Sequence, residues 1–458
     1  SFQLDPKSIR SGRAGRRDAF DMALVRARSG LPKPRPSTTI VMEAAFYLLE
    51  QGLLNIPDVG IVNVKQARAF LWNAAWLQQH MIEVWIAEDT LPADAATPPH
   101  LKFDQYCLAI MGPGGTGKTA VLKLSEALTI HFAGADTVRK LAPSNAAARL
   151  LGGDTLHALC KLPFGKANLR SKKGRLNSDS LGRHRKAWRT AIAAYIDEIS
   201  MVPADQFLQC EVRFRQAKMR ADLRFGGLAV NTCGDFLQLP PVSRDESRRS
   251  LAVPLDDVGH VAKTRGAQLP GSKPAAQSSS AAAREQDEGS SEDVDDQDGR
   301  KRQSNLESRQ GFELWRSIKR VVCLTVNVRA PGVLSRLQAE MRAGAISDEM
   351  WETYMSRVVR QDDPRLTDPS SPFVRCEVQF VVHRHRIRTM RSMENAKRTA
   401  IAQRLPLYVV QAMDVATHDE DAAKLTPAVR EELLQRVNPE KTKGLPSFLP
   451  LHRGMRLL

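Results

Sequence analysis

The chain has 458 residues, 42% hydrophobic and 26% charged, which is ordinary globular composition with room for several domains of roughly 100 to 200 residues. No stretch approaches the roughly 20 consecutive apolar residues of a membrane-spanning helix, so no membrane partner is expected. Lys plus Arg number 67 against 51 Asp plus Glu, a net charge of +16, which suits a polyanionic partner without naming one.

Residues 1–60 read as a lead-in, partly flexible, because through residue 36 they are rich in Arg, Gly and Pro and lack a sustained apolar period. From Asn63 onward Ala67, Phe70, Leu71, Ala74, Met81, Ile82 and Trp85 recur at helical spacing and predict a helix with one packing face. Tyr106 to Met111 is an apolar run of strand length, followed by a glycine loop and the helical pattern TAVLKLSEALTIHF. Two further apolar runs, Ala191 to Ile196 and Leu228 to Cys233, end on acidic or Gly-Asp residues. Strands whose carboxyl ends carry polar residues point to an α/β fold with a parallel sheet and a site along that edge. Residues 61–242 are therefore one domain. Residues 243–310 turn to Ser, Ala and Gln runs, then an acidic stretch, a composition that cannot bury enough apolar surface to fold, and read as a disordered insertion. Residues 311–458 read as a second, mixed α/β domain that opens with a helix and a strand in GFELWRSIKRVVCLTVNV.

GPGGTGKT, Gly112 to Thr119, sits between a predicted strand and a predicted helix and has the phosphate-loop spacing. Gly112, Gly114, Gly115, Thr116 and Gly117 let backbone N–H groups face an anion at a helix start. Lys118 reaches terminal phosphates, and the Thr119 hydroxyl can ligate Mg2+. This chemistry calls for ATP or another nucleotide with Mg2+ as cofactors. The acidic pair in IDEIS refines the reaction. Asp197 at a strand end suits the Mg2+ shell, and Glu198 beside it can polarise a water, which favours hydrolysis over phosphoryl transfer to a small acceptor. In GDFLQLPPV, Asp235 and Gln238 follow Gly234, and Gln238 is placed to sense the γ-phosphate or the attacking water.

These motifs, with APSNAAARLLGGDTLHALCKLPF, FGGLAVNTCGDFLQLPPV and LTVNVRA in the same order, resemble the ATP-dependent DNA helicases of the petite-integration-frequency family. That family includes the helicase part of Helitron transposons and is related to RecD in superfamily one. The resemblance covers roughly residues 60–242 and 311–458. It implies a RecA-like domain and a partial second one, the chain stopping before two late motifs. It also implies 5′-to-3′ translocation on single-stranded DNA, unwinding at duplex junctions, and a nuclear or mitochondrial role in repair, recombination or telomere maintenance. A remnant that binds ATP and DNA without catalysis is the alternative. The resemblance further suggests Gln66 as the adenine-reading glutamine, Asp197 and Glu198 as metal and base pair, Gln238 as coupling residue, and Arg329 as an arginine finger from the second lobe. It places Pro143, Ser144, Asn145, Thr155 and His157 near DNA, with a capping or core role for His157 equally open.

The basic stretch Lys166, Arg170, Lys172, Lys173, Arg175, Arg183, Arg185, Lys186 and Arg189 reads as a DNA phosphate contact or as a solvated loop. His383 and His385 lack further ligands and sit among arginines, which argues against a metal. The six cysteines, Cys107, Cys160, Cys210, Cys233, Cys323 and Cys376, have no metal or redox spacing and read as reduced core thiols.

Overall fold

The computed structural model describes residues 19–95, 105–163, 174–241, 306–330 and 332–358 in continuous stretches, with residues 169 and 250–252 and short pieces between 362 and 451. It divides into two units, residues 1–345 and 346–458. In unit 1 the order begins with α1 (19–29), α2 (Ile40–Glu50) and α3 (Val64–Ala87), then β1 (Cys107–Met111), α4 (Lys118–Ala133) and β2 (Val138–Ala142). There follow α5 (Asn145–Leu151), β3 (Asp154–Thr155), α6 (Leu156–Leu159), α7 (Ser178–Trp188), β4 (Ala193–Ile196), α8 (Ala204–Lys218) and β5 (Ala229–Gly234). The unit ends with α9 (306–316), β6 (Arg320–Cys323) and α10 (Val333–Ala343).

The six strands form one sheet in the order β3-β2-β4-β5-β1-β6, every pair parallel. Successive residues of a strand point to opposite faces. Leu108 and Ile110 accordingly join the core beneath α1 to α4, while Cys107 and Ala109 join the core beneath α7 and α8. Both faces are covered, so the central strands β1 and β4 read as unbroken apolar runs rather than alternating ones, while β5 buries Asn231 and Thr232 among its apolar residues. On the second face Trp188 packs on Phe214 with ring centroids 4.8 Å apart, and Phe207 meets Trp315 of α9 at 6.0 Å. The helix starts follow local capping chemistry. Asn63, Ser144, Thr155 and Asn177 each present a side-chain oxygen to the backbone N–H three residues on, which satisfies a donor the first helical turn leaves open.

Three expectations change. First, the lead-in is part of the core: Ile40, Val41, Ala44, Ala45 and Leu48 of α2 are all buried, as are Leu24 and Ala27 of α1. The reason lies on α3. Thr39 precedes α2 without capping it through its side chain, and the buried Gln78 does that work instead, its Oε1 accepting from the N–H of Val41 at 2.9 Å and Met42 at 3.4 Å, and its Nε2 donating to the carbonyl of Ser37. Second, a new domain does not begin at residue 311. β6 pairs with β1, Leu108 opposite Arg320 and Met111 opposite Cys323, so residues 320–323 complete the first sheet. Third, Cys107, Cys160, Cys210 and Cys233 are buried, but Cys323 is exposed on the edge strand. Most of the expected insertion, 243–310, lies outside the described residues, as do Cys376, His383 and His385.

Unit 2 carries α11 (Asp348–Met355), capped by Ser347, and an antiparallel pair, β7 (Tyr408–Gln411) with β8 (Phe448–Leu451). Among the described residues no helix is long and apolar enough to cross a membrane.

The cap supplied from α3 gives a direct test. Gln78→Ala leaves the buried Val41 N–H without its acceptor and is expected to cost about 1 to 3 kcal/mol, read as a lower urea midpoint of the chain. An unchanged midpoint would mean that α2 does not dock on α3.

Candidate functional site

The glycine loop leaves the carboxyl end of β1 and enters α4 at Lys118. Its path is set by neighbours. Gly112 N–H donates to Gly234 O at the end of β5, and Gly115 O accepts from Val328 N–H. Thr116 O accepts from Gln66 Nε2 at 2.7 Å, and Thr116 Oγ1 donates to Pro113 O. Gly117 has φ 82° and a Cβ there would run into Gln66 Nε2, so the position needs glycine on two counts. Lys118 Nζ lies over the loop, donating to Gly112 O at 2.6 Å and Pro113 O at 3.0 Å. Backbone N–H groups at a helix start beside an ammonium make a ready anion site.

Asp197 and Glu198 follow β4 directly. Asp197 is 8% exposed; burial raises its carboxyl above the ordinary range, against the opposing pull of the Glu198 N–H, the Lys118 charge and the Thr119 hydroxyl. Glu198 is raised as well, first by burial, then by the charges of Asp197 and Asp235, with Lys118 opposing. Glu198 also has φ 53° and ψ 44°, a left-handed conformation costly for a residue with a Cβ. Two adjacent acids desolvated beside the Thr119 hydroxyl form a hard-oxygen set that fits Mg2+, which takes one or two carboxylates together with substrate phosphates. Thr119 and Asp197 are the residues that would hold it.

Gln238 and Arg329 flank the loop from opposite sides. Gln238 Nε2 stands 3.7 Å from where a Cβ on Gly114 would be, and Arg329 Cβ stands 3.1 Å from the same point on Gly115. Arg329 belongs to a strap, 324–330, that leaves β6 and crosses the loop: Leu324 N–H donates to Met111 O, and Lys65 Nζ to Thr325 Oγ1. Asn327 Oδ1 accepts from the N–H groups of Arg329 and Ala330 at 3.0 and 3.1 Å, fixing the turn that carries Arg329. The arginine thus comes from the same unit as the phosphate loop, not from a second lobe, because the strand before it lies in the first sheet.

Asp235 carries a partner the sequence did not suggest. Arg342 of α10 forks onto it, Nη1 to Oδ2 at 2.7 Å and Nη2 to Oδ1 at 2.6 Å. Gln238 Nε2 also donates to Asp235 Oδ2, at 3.0 Å, and Leu237 N–H to Oδ1. Burial works to raise this carboxyl, but the bonds from Arg342, Gln238 and Leu237 outweigh it and hold it below the usual aspartate range. No local pattern announces Arg342, which lies 107 residues beyond its partner.

Residues 102–255 match the PIF1-like helicase family. Among curated proteins, the ATP-dependent DNA helicase PIF1 of Saccharomyces cerevisiae (strain YJM789) is 35% identical over 140 residues, 30% of this chain and 16% of that protein. PIF1 of Rattus norvegicus is 36% identical over 219 residues, 46% of this chain and 32% of that one. The chain thus spans under a third of the length of these relatives. A solved structure of Pif1 helicase from Candida albicans is 17% identical, with a TM-score of 0.42, over 76% of this chain and 60% of that one.

Within residues 102–255, Pro143, Ser144, Asn145, Thr155 and His157, the five residues expected near DNA, all line one cleft of about 840 Å3. Lys161, which sequence reading passed over, lines it too. The hydroxyl of Thr155 accepts from Ala158 N–H and caps α6, so the capping role belongs to Thr155, while the His157 ring lies 3.2 Å from Gln206 Nε2. Of the basic stretch, Lys166, Arg170, Lys172 and Lys173 lie outside the described residues; Arg175, Arg183, Arg185, Lys186 and Arg189 are exposed.

The Asp235 pair has a pH signature. Its folded carboxyl is depressed, so its stabilisation is fully present above the ordinary aspartate value of about 3.9 and is lost as pH falls through the lower folded value. Asp235→Asn is expected to cost about 2 to 5 kcal/mol near neutral pH, and the gap in urea midpoint from the unaltered chain should close in strong acid. A gap independent of pH would show that the carboxylate is not the source.

Proposed function

We propose that this chain is the nucleotide-hydrolysing part of an ATP-dependent DNA helicase that moves 5′ to 3′ on single-stranded DNA in genome maintenance. The observation that carries the reading is the gathering of Lys118, Asp197, Glu198, Gln238 and Arg329 around one phosphate loop at the carboxyl edge of a parallel sheet. Loop N–H groups and Lys118 hold the phosphates. Glu198, its carboxyl raised by burial and by its acidic neighbours, takes the proton of the attacking water as the water oxygen bonds to the γ-phosphorus and the bond to the β–γ bridging oxygen breaks, releasing ADP and phosphate. Arg329 and Lys118 stabilise the charge that develops on the transferred phosphoryl group. Mg2+ held by Thr119 and Asp197 would neutralise the β- and γ-phosphate oxygens. Gln66, buried against Thr116, would fix the loop to α3 near the base. The family match to residues 102–255 supports the substrate class; direction and the nuclear or mitochondrial setting are what the resemblance to the family implies.

The cleft lined by Ser144, Asn145, His157 and Lys161 is the proposed path of the DNA strand, with polar side chains on backbone phosphates rather than on bases. Helices starting at Asn145 and Leu156 border it.

Turnover of ATP with and without single-stranded DNA, with Mg2+ present, is the direct measurement. Stimulation by DNA is expected. Lys118→Ala should abolish turnover and weaken nucleotide binding, whereas Glu198→Gln should keep binding and lose turnover by roughly 100-fold or more. Binding of ATP and DNA without hydrolysis would instead identify a non-catalytic binding remnant.

Lys161→Gln is expected to weaken single-stranded DNA binding about equally for all sequences. It should also lower the steepness of log affinity against log salt by about 0.7. An unchanged slope would remove Lys161 from the DNA path.

A further inference from the structure

The loop that presents Gln238 is not held by its own strand alone. Asp235 is 2% exposed, and its two oxygens are taken by four donors: both Nη atoms of Arg342, the Gln238 amide and the Leu237 N–H. With its Nε2 drawn to Asp235, the Gln238 carboxamide has its plane and dipole fixed beside Gly114 of the phosphate loop. A planar guanidinium fork is the group suited to hold a carboxylate in one orientation. At its other end the fork is anchored to α10. Leu337 is the buried residue of α10, while Val333, Leu334 and Met341 are 57%, 54% and 49% exposed.

We propose that Arg342 is a positioning residue for nucleotide hydrolysis, acting through Asp235 to fix the orientation of Gln238 at the phosphate loop. The inference rests on the hydrolase reading above. Without the fork, the buried Asp235 carboxylate loses its strongest donors, and the Gln238 amide turns to follow it. Ground-state nucleotide binding, which depends on loop N–H groups and Lys118, is left alone; the geometry around the reacting water is not.

The test is steady-state ATP turnover of the full chain with single-stranded DNA for Arg342→Ala, Arg342→Lys, Gln238→Ala and the Arg342→Ala/Gln238→Ala double variant. Arg336→Ala serves as control, because it breaks the Arg336–Glu340 pair on the same helix without touching Asp235. Arg342→Ala is expected to lower kcat on the order of 10-fold to 100-fold, with KM for ATP within about two-fold. The double variant should be no slower than Gln238→Ala, since the two residues act in series. Lys keeps the charge and loses the fork, so Arg342→Lys should fall between, and Arg336→Ala should match the unaltered chain. An unchanged kcat in Arg342→Ala, losses that multiply in the double variant, or an equal loss in Arg336→Ala would each overturn the proposal while the hydrolase reading stands. If Arg342→Ala does not fold, Arg342→Lys decides: full activity there overturns the proposal. No turnover by the unaltered chain would end the hydrolase reading and this inference with it.

Discussion

The phosphate loop has its shape because segments far from it in sequence donate or accept its backbone hydrogen bonds. Gly112 is tied to the end of β5, Gly115 to the strap after β6, and Thr116 to Gln66 on α3. A loop of this kind has no regular structure to satisfy its own polar groups, and each buried group left unpaired would cost about 1 to 3 kcal/mol. The loop is therefore a joint product of three elements. β5 must lie on one side of β1 and β6 on the other, as the sheet order places them. An anion-binding surface follows once the loop is fixed, since its N–H groups and the start of α4 then point the same way.

The acids around the loop are stabilised in two different ways. Asp197 and Glu198 are desolvated side by side, and burial lifts both above their ordinary range despite Lys118 nearby. Such a pair is costly to ionise without a cation beside it. Asp235 is more deeply covered than either, yet it is held ionised because Arg342 and Gln238 are bonded to it. Among the described residues the first set carries its acids without an ion-paired arginine, whereas Asp235 has its cation built into the fold. The left-handed backbone at Glu198 belongs to the first set, where a small local cost aims the side chain.

Much of this was legible in the sequence, and what was not has physical reasons. The central strands showed themselves because both sheet faces are covered, which leaves continuous apolar runs at Cys107–Met111 and Ala193–Ile196. The loop and acidic residues showed themselves because phosphate chemistry demands fixed residue types at fixed spacing. The docking of α2 was hidden because its cap is a glutamine on another helix, and a buried Gln78 looks polar in any apolar count. Arg342 was hidden because an ion pair across 107 residues leaves no periodic trace. The domain boundary was misplaced because the low-complexity stretch looks like a linker, and composition alone cannot distinguish a linker between domains from an excursion within one.

The two ends of that excursion show which it is. Before it, Ser250 bridges to Pro203, at the start of α8. After it, Gly311 of α9 lies so close to Ala204 that a Cβ would meet the Ala204 carbonyl. Trp315 then packs edge-on against Phe207 at 6.0 Å and Phe236 at 5.5 Å. The chain leaves the first helical turn of α8 and returns to it, then supplies β6 to the sheet already formed. Closing a loop costs free energy that grows only as the logarithm of its length, about 0.6 kcal/mol per doubling. A long insertion whose ends meet is therefore tolerated without loosening the domain that carries it. β6 and the strap that shapes the phosphate loop are supplied from beyond the excursion, so the loop depends on the strand of its sheet that comes last in sequence.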